Sequence, residues 1–135
     1  MALKLFNTLT RSIEELRPLH DREVRMYHCG PTVYDYAHVG NLRSYVFADI
    51  LRRTLEYTGY QVKQVMNITD IDDKTIKRSN DEGITLAELT NRYEDIFLAD
   101  LRYLNIKVPE RLPHATEHIG GMVALIEKLL RDEYA

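Results

Sequence analysis

The sequence predicts an α/β fold on a parallel sheet, and three observations carry that prediction. Residues Glu23–Cys29 and Gln61–Thr69 each alternate with a period of two, the signature of strands. Between them, residues 42–57 set Val46, Phe47, Ile50, Leu51 and Leu55 at helical spacing, with Arg52, Arg53 and Glu56 facing away and Gly59 as the stop. Strand, helix and strand in that order close most simply as a parallel crossover unit. The third observation is a chemically dense loop directly after the first strand: Cys29-Gly30-Pro31-Thr32-Val33-Tyr34-Asp35-Tyr36-Ala37-His38-Val39-Gly40-Asn41. Ligands of parallel sheets sit outside the carboxyl ends of the strands, where both Cys29 and Thr69 fall.

The remaining elements follow from local signals. Leu3–Thr8 alternates enough for a short edge strand, and Arg11–Asp21, polar and containing Pro18, reads as a loop with at most one helical turn. In the second strand, Val62, Gln64, Met66 and Ile68 lie opposite Gln61, Lys63, Val65 and Asn67. Asp72–Glu82 is a short polar helix ended by Gly83, and Thr85-Leu86-Ala87-Glu88 is a capping box. That box opens a helix whose inner face carries Leu86, Leu89, Tyr93, Ile96, Phe97, Leu101 and Leu104. Residues 107–113, bounded by two prolines, form a connector. Thr116 opens a last helix expected to turn Ile119, Met122, Val123, Ile126, Leu129 and Leu130 inward. The chain stops at Tyr134-Ala135 with no cap or polar tail, as an interrupted sequence would.

Composition narrows the class. At 135 residues, 44% of them apolar and 29% charged, the chain is long enough for one domain with a core. A net charge of −3 gives no global basic field for nucleic acid. A single cysteine forms no internal disulfide, which favours a reducing compartment. No apolar run is long enough to span a bilayer, and the first residues lack a signal-peptide core, so a cytoplasmic protein is expected.

The loop carries the candidate chemistry. Cys29 is either a small buried hydrophobe or a zinc ligand, and as a ligand it needs three partners. None of His20, His28, His38, His114 and His118 stands at a recognisable ligand spacing from it. His38 and Asn41 open a helix, where the imidazole, the amide and the helix dipole all favour a phosphate; Gly40 gives a ligand close access to backbone. The plainer reading is a turn before a helix. Asp70, Asp72 and Asp73 are either a helix cap or a magnesium site. Lys74, Lys77 and Arg78 form a basic edge, more often a solvated face than a nucleic-acid contact. Tyr34 packs or stacks, and Asp35 binds an amino group or closes an Asx-turn.

Taken together, these segments resemble the N-terminal part of bacterial-type cysteinyl-tRNA synthetases, a class I family. The resemblance runs from Leu5-Phe6-Asn7-Thr8-Leu9-Thr10 through Met26–Asp35 and His38–Asn41 to Asn67-Ile68-Thr69-Asp70-Ile71-Asp72-Asp73-Lys74 and Ala115–Ile119. It implies a Rossmann-type, HUP-like parallel sheet with flanking helices, of which residues 1–135 supply the N-terminal half of the catalytic domain. It implies activation of L-cysteine with ATP and Mg²⁺, then transfer to tRNA(Cys). Cys29 would be one zinc ligand, its partners outside this chain, and zinc would select a thiolate over serine's hydroxyl. Gly30 and Thr69 would join Cys29 in the amino-acid pocket, residues Pro31 to Asn41 would form the ATP motif, and His38 and Asn41 would steady phosphates.

Two departures qualify these implications. Asn41 stands where the family's motif usually ends in histidine, and an amide donates to phosphate without carrying charge. The remaining zinc ligands, a Lys-Met-Ser-Lys-Ser loop and the anticodon-binding helices are not in this sequence, which corresponds to roughly the first third of such an enzyme. The chain by itself is therefore expected to be inactive, its parent a monomer, and the exposed sheet edge prone to self-association. Two other readings compete: a cysteine–amino sugar ligase of the same family, and a non-catalytic binding module.

Overall fold

In the computed structural model, which describes residues 3–135, the chain is α/β with two small sheets. The first is an antiparallel hairpin of β1 (Lys4–Asn7) and β2 (Ser12–Glu15). The second pairs β3 (Glu23–His28) with β4 (Gln61–Met66) in parallel, from Glu23 opposite Gln61 to His28 opposite Met66. Helix α1 (Val39–Tyr57) makes the crossover between them. Then come α2 (Asp73–Glu82), α3 (Leu86–Tyr103), a short 3-10 turn (Ala115–His118) and α4 (Ile119–Arg131).

Most elements form for the reasons their sequences give. β4 buries Gln64 and Met66 on the side read as inward, with Ile68 buried just beyond it, while Gln61 and Lys63 face solvent. Thr85 and Glu88 complete the reciprocal capping box of α3, and Gly83 ends α2 in the left-handed conformation at φ 66°. The core gathers Leu89, Tyr93, Phe97 and Leu101 of α3 against Val33, Tyr45, Met66 and Ile68. Tyr45 and Phe97 meet edge to face with ring centroids 4.9 Å apart.

Four readings are corrected. Residues 11–21 do not form only a loop: Ser12–Glu15 is a strand, reached through Arg11 at φ 57°. Asn7 donates to Glu14 across this hairpin, and Ser12 donates to the same carboxylate. With one apolar residue in four, Ser12–Glu15 shows no alternation to read. The connector is more ordered than a loop, because Met66 and Ile68 donate to the carbonyls of Arg111 and Pro113 along the free side of β4. Pro113 lacks an N–H, which keeps this pairing from becoming a full strand.

The third correction concerns the face of α1. Tyr45, Ala48, Asp49, Arg52 and Leu55 are buried, whereas Phe47 and Ile50 are 69% and 57% exposed. Arg52 donates to Glu56 at 2.9 Å and Gln64 at 3.1 Å, and pairs with Glu110. Asp49 accepts from the Lys107 backbone and from Arg53. A hydrophobicity pattern ignores paired charges, so it picks the wrong face by about one residue's rotation. Fourth, α4 buries none of its residues: its large apolar side chains lie between 37% (Leu129) and 57% (Leu125) exposed, and among the described residues its only substantial neighbour is the turn before it. Its amphipathic pattern is present, but the described residues supply nothing to pack against.

Arg52 thus ties three segments together, and the other groups of that cluster depend on it. Replacing it by Met is expected to lower the unfolding free energy of the chain by about 2 kcal/mol, less than a fully buried pair because Glu110 can rehydrate. Urea denaturation measures this, and an unchanged midpoint would contradict the assignment.

Candidate functional site

The carboxyl ends of β3 and β4 are joined by backbone. Thr69 donates to the Pro31 carbonyl at 2.9 Å, and Val33 donates to the Thr69 carbonyl at 3.2 Å. Asn67 completes the join: its Oδ1 accepts from the Gly30 N–H at 3.1 Å and the Tyr27 hydroxyl at 3.0 Å, while its Nδ2 donates to Thr69 Oγ1 at 3.0 Å. A Cβ on Gly30 would fall 1.7 Å from the Asn67 carbonyl oxygen, so glycine alone permits this approach.

From that join the loop curves over a cleft of about 420 Å³ lined by its residues 30–38 and by Asn41, Tyr45, Lys74, Tyr93 and Phe97. Tyr36 meets Tyr93 of α3 edge to face, 5.5 Å between centroids. Asp35 is held by Arg78 at 2.9 Å and accepts from the Tyr36 N–H at 2.8 Å. It neither closes an Asx-turn nor stands free for a ligand's amino group. Arg78 also donates to Glu82 at 2.8 Å and to the Tyr93 hydroxyl at 2.6 Å, so this part of the basic edge is a clamp rather than a solvated face. Lys77 keeps to the surface, paired with Asp81.

His38 is the N-cap of α1, which begins at Val39, three residues before the helix start read from the sequence. Its Nδ1 accepts from the N–H groups of Gly40 at 3.1 Å and Asn41 at 3.3 Å, and Asn41 Oδ1 accepts from the His38 N–H at 3.2 Å. An Nδ1 that accepts twice carries no proton, which assigns the proton of the neutral ring to Nε2. The Asn41 amide is fixed the same way, its oxygen occupied and its NH₂ left to donate. A Cβ on Gly40 would lie 2.9 Å from His38 Cε1. Gly40 therefore makes room for the imidazole, a role distinct from the ligand access read from the sequence. The first turn of α1 holds no carboxylate, so its dipole is not neutralised from within.

Cys29 is an exposed free thiol at the end of β3. It does not line the cleft, nor do Thr69, Val39 and Gly40, but its neighbour Gly30 does. Burial pushes the Tyr45 phenol up to about 12, with the charge of Cys29 adding to that shift, and the adjacent Gly30 in the cleft wall places Cys29 at that end of the fold. Among the described residues no three His, Cys, Asp or Glu side chains converge to hold a metal. Cys29 is a single donor, and the residues present do not make a zinc site.

The acidic run divides its work. Asp72 caps α2, accepting from Lys74 N–H at 2.7 Å, as the capping reading required. Buried Asp70 instead accepts from the backbone and hydroxyl of Thr116, bracing the 3-10 turn. Sequence reasoning missed Asn67, Tyr45 and Tyr93. Asn67 sits in a strand-like run where nothing marks its side chain as the join, Tyr93 read as ordinary core, and Tyr45 lay off the apolar stripe read for its helix.

Next to Asp70, His114 bonds Glu94 of α3 at 2.8 Å, with Glu117 3.9 Å away. Burial lowers its pKa, but the Glu94 hydrogen bond and the charges of Glu94, Asp70 and Glu117 outweigh it and raise the value. With the folded value above the unfolded one of about 6.5, the pair's stabilisation is complete below that pH and fades as pH rises through the folded value. Thermal unfolding of wild type and His114→Gln between about pH 5.5 and 9 is expected to show the wild-type advantage shrinking with rising pH. A constant or growing difference would contradict the pair.

A family profile described as "tRNA synthetases class I (C) catalytic domain" matches residues 15–135. A cysteine–tRNA ligase of Thermococcus gammatolerans is 50% identical over 135 residues, covering 100% of this chain and 28% of that protein. One from Koribacter versatilis is 52% identical over 129 residues, 96% of this chain and 26% of that protein. One from Methanococcus maripaludis is 50% identical over 133 residues, 98% of this chain and 28% of that protein. The chain thus spans little more than a quarter of the length of these relatives. With a profile matched over nearly its whole length, the chain belongs to the class I (C) family of tRNA synthetase catalytic domains.

Proposed function

We propose that residues 1–135 are the N-terminal portion of the catalytic domain of a cysteine–tRNA ligase. The reading is supported by the relatives' shared name and, in the geometry, by one observation above others. The cap on α1 turns His38 into a fixed Nε2–H donor beside a cleft whose rim is a helix N-terminus. In this reading ATP lies against residues Pro31–Asn41, with its phosphates at His38, Asn41 and the α1 N-terminus. The cysteine carboxylate attacks the α-phosphorus, and the bond to pyrophosphate breaks. The 3′-terminal hydroxyl of tRNA(Cys) then attacks the acyl carbon and releases AMP. His38 and Asn41 act as neutral donors to the charge that builds on phosphate oxygens. Mg²⁺ would accompany the nucleotide.

Gly30 and Thr69 belong, on this reading, to the wall of the amino-acid pocket, and Cys29 supplies one thiolate to a zinc ion completed by residues outside this chain. Zinc would contribute a bond that the substrate's thiolate makes and a hydroxyl makes poorly. The reading also keeps the parent protein as a cytoplasmic monomer. Among the described residues no helix is long and apolar enough to cross a membrane. The exposed faces of α1 and α4 make the isolated chain prone to self-association, which light scattering at increasing concentration checks; a strict monomer would contradict that point.

The longer protein carrying this chain is expected to catalyse cysteine-dependent ATP–pyrophosphate exchange, and His38→Ala to lower kcat by about 100-fold. The 135-residue chain alone is expected to stay at background and, purified without chelator, to hold less than stoichiometric zinc. Exchange by the isolated chain at the longer protein's rate, or a full zinc equivalent in it, would overturn this division of the site.

A further inference from the structure

Apart from Lys74, the groups that line the cleft bring no net positive charge to it. His38 and Asn41 are held as neutral donors, and Asp35, the cleft's one carboxylate, is matched by Arg78. Lys74 is the only lysine or arginine among the lining residues. Its ammonium stands 5.3 Å from the centre of the Tyr34 ring and makes no ion pair among the described residues. The next cation on that helix, Lys77, is paired with Asp81 at 2.7 Å, and Arg78 is committed three ways. Nor does Lys74 serve its helix. It lies in the first turn of α2, where the dipole disfavours a cation.

We infer that Lys74 is the cleft's anion-binding cation and contacts the phosphate chain of the bound nucleotide. Among the residues that line the cleft, amide, imidazole and backbone donors bring no full positive charge to a phosphate chain, and Asn41 cannot supply what a protonated histidine would, so within this chain that part falls to Lys74. Lysine fits this role because it carries a point charge on a flexible stem, able to leave an aromatic face for an anion and return. Tyr34 has a part in this as well, holding the ammonium over the cleft rather than in bulk water. The inference rests on the proposed nucleotide reading of the cleft and adds to it the residue that carries the positive charge.

The test compares Lys74→Ala, Lys74→Gln and Lys74→Arg with Lys77→Ala in the longer protein carrying this chain. ATP binding is measured by equilibrium dialysis, and kcat and KM by cysteine-dependent ATP–pyrophosphate exchange. Removing the charge is expected to weaken ATP binding and raise its KM by about 10-fold, the scale of one hydrogen bond to a charged group. The deficit should narrow as salt is raised, since screening removes the same attraction from wild type. Arginine should restore most of the affinity, and Lys77→Ala should behave as wild type. Affinity unchanged by both neutral variants, with normal exchange, overturns the role of Lys74 and leaves the proposed reaction standing. ATP binding that depends on Lys74 in a protein without exchange activity does the opposite. A wild-type protein that binds no ATP overturns both.

Discussion

A methyl group at position 30 would lie 1.7 Å from the Asn67 carbonyl oxygen, closer than any non-bonded contact allows. The two strand ends can therefore close on each other only while residue 30 is glycine. That closure sets the start of the loop, and everything downstream takes its position from it. Pro31 and Val33 are bonded to Thr69, Asn67 bridges Gly30 and Tyr27, and the chain leaves the sheet in one direction only. The exit carries residues 34–37 across α2 and α3 and delivers His38 to the start of α1.

The electrostatic design follows from the same path. At the end of the loop, the first turn of a nineteen-residue helix offers partial positive charge with no carboxylate to cancel it. His38 and Asn41 satisfy backbone groups with one side of each side chain and leave their donors on the other. Fixed neutral donors need no reorganisation when negative charge grows nearby, the property that makes a preorganised site more effective than water. Arg78 steadies the middle of the loop through Asp35 and the Tyr93 hydroxyl, so the cleft wall is set by ion pairs as well as by packing. Membership of a class I tRNA synthetase family, whose catalytic domains are Rossmann-like, fits a cleft at this end of a parallel pair.

Much of this was legible in the sequence because it depends on local rules. Period-two alternation marked β3 and β4, Gly59 and Gly83 marked helix ends, and Thr85 with Glu88 marked a cap. The resemblance added the family, and the profile match bears it out. What failed depended on partners distant in sequence. The buried face of α1 is chosen by Gln64, Lys107 and Glu110, which satisfy Arg52 and Asp49 from twelve to fifty-eight residues away. The inward face expected of α4 is exposed because amphipathicity specifies a face without specifying its neighbour. His38 read as lying ahead of its helix, where the structure makes it the cap. A histidine N-cap is uncommon enough that only the geometry of Gly40 and Asn41 discloses it.

The claim on which the rest turns is that His38 holds its proton on Nε2, facing away from the helix it caps. Long-range ¹H–¹⁵N correlation spectra of the histidine-labelled chain, recorded well above the imidazole pKa, report this tautomer directly. The account predicts a single Nε2–H form for His38, with Nδ1 showing the shift of an unprotonated acceptor. A proton on Nδ1, or rapid averaging between the two tautomers, would contradict it.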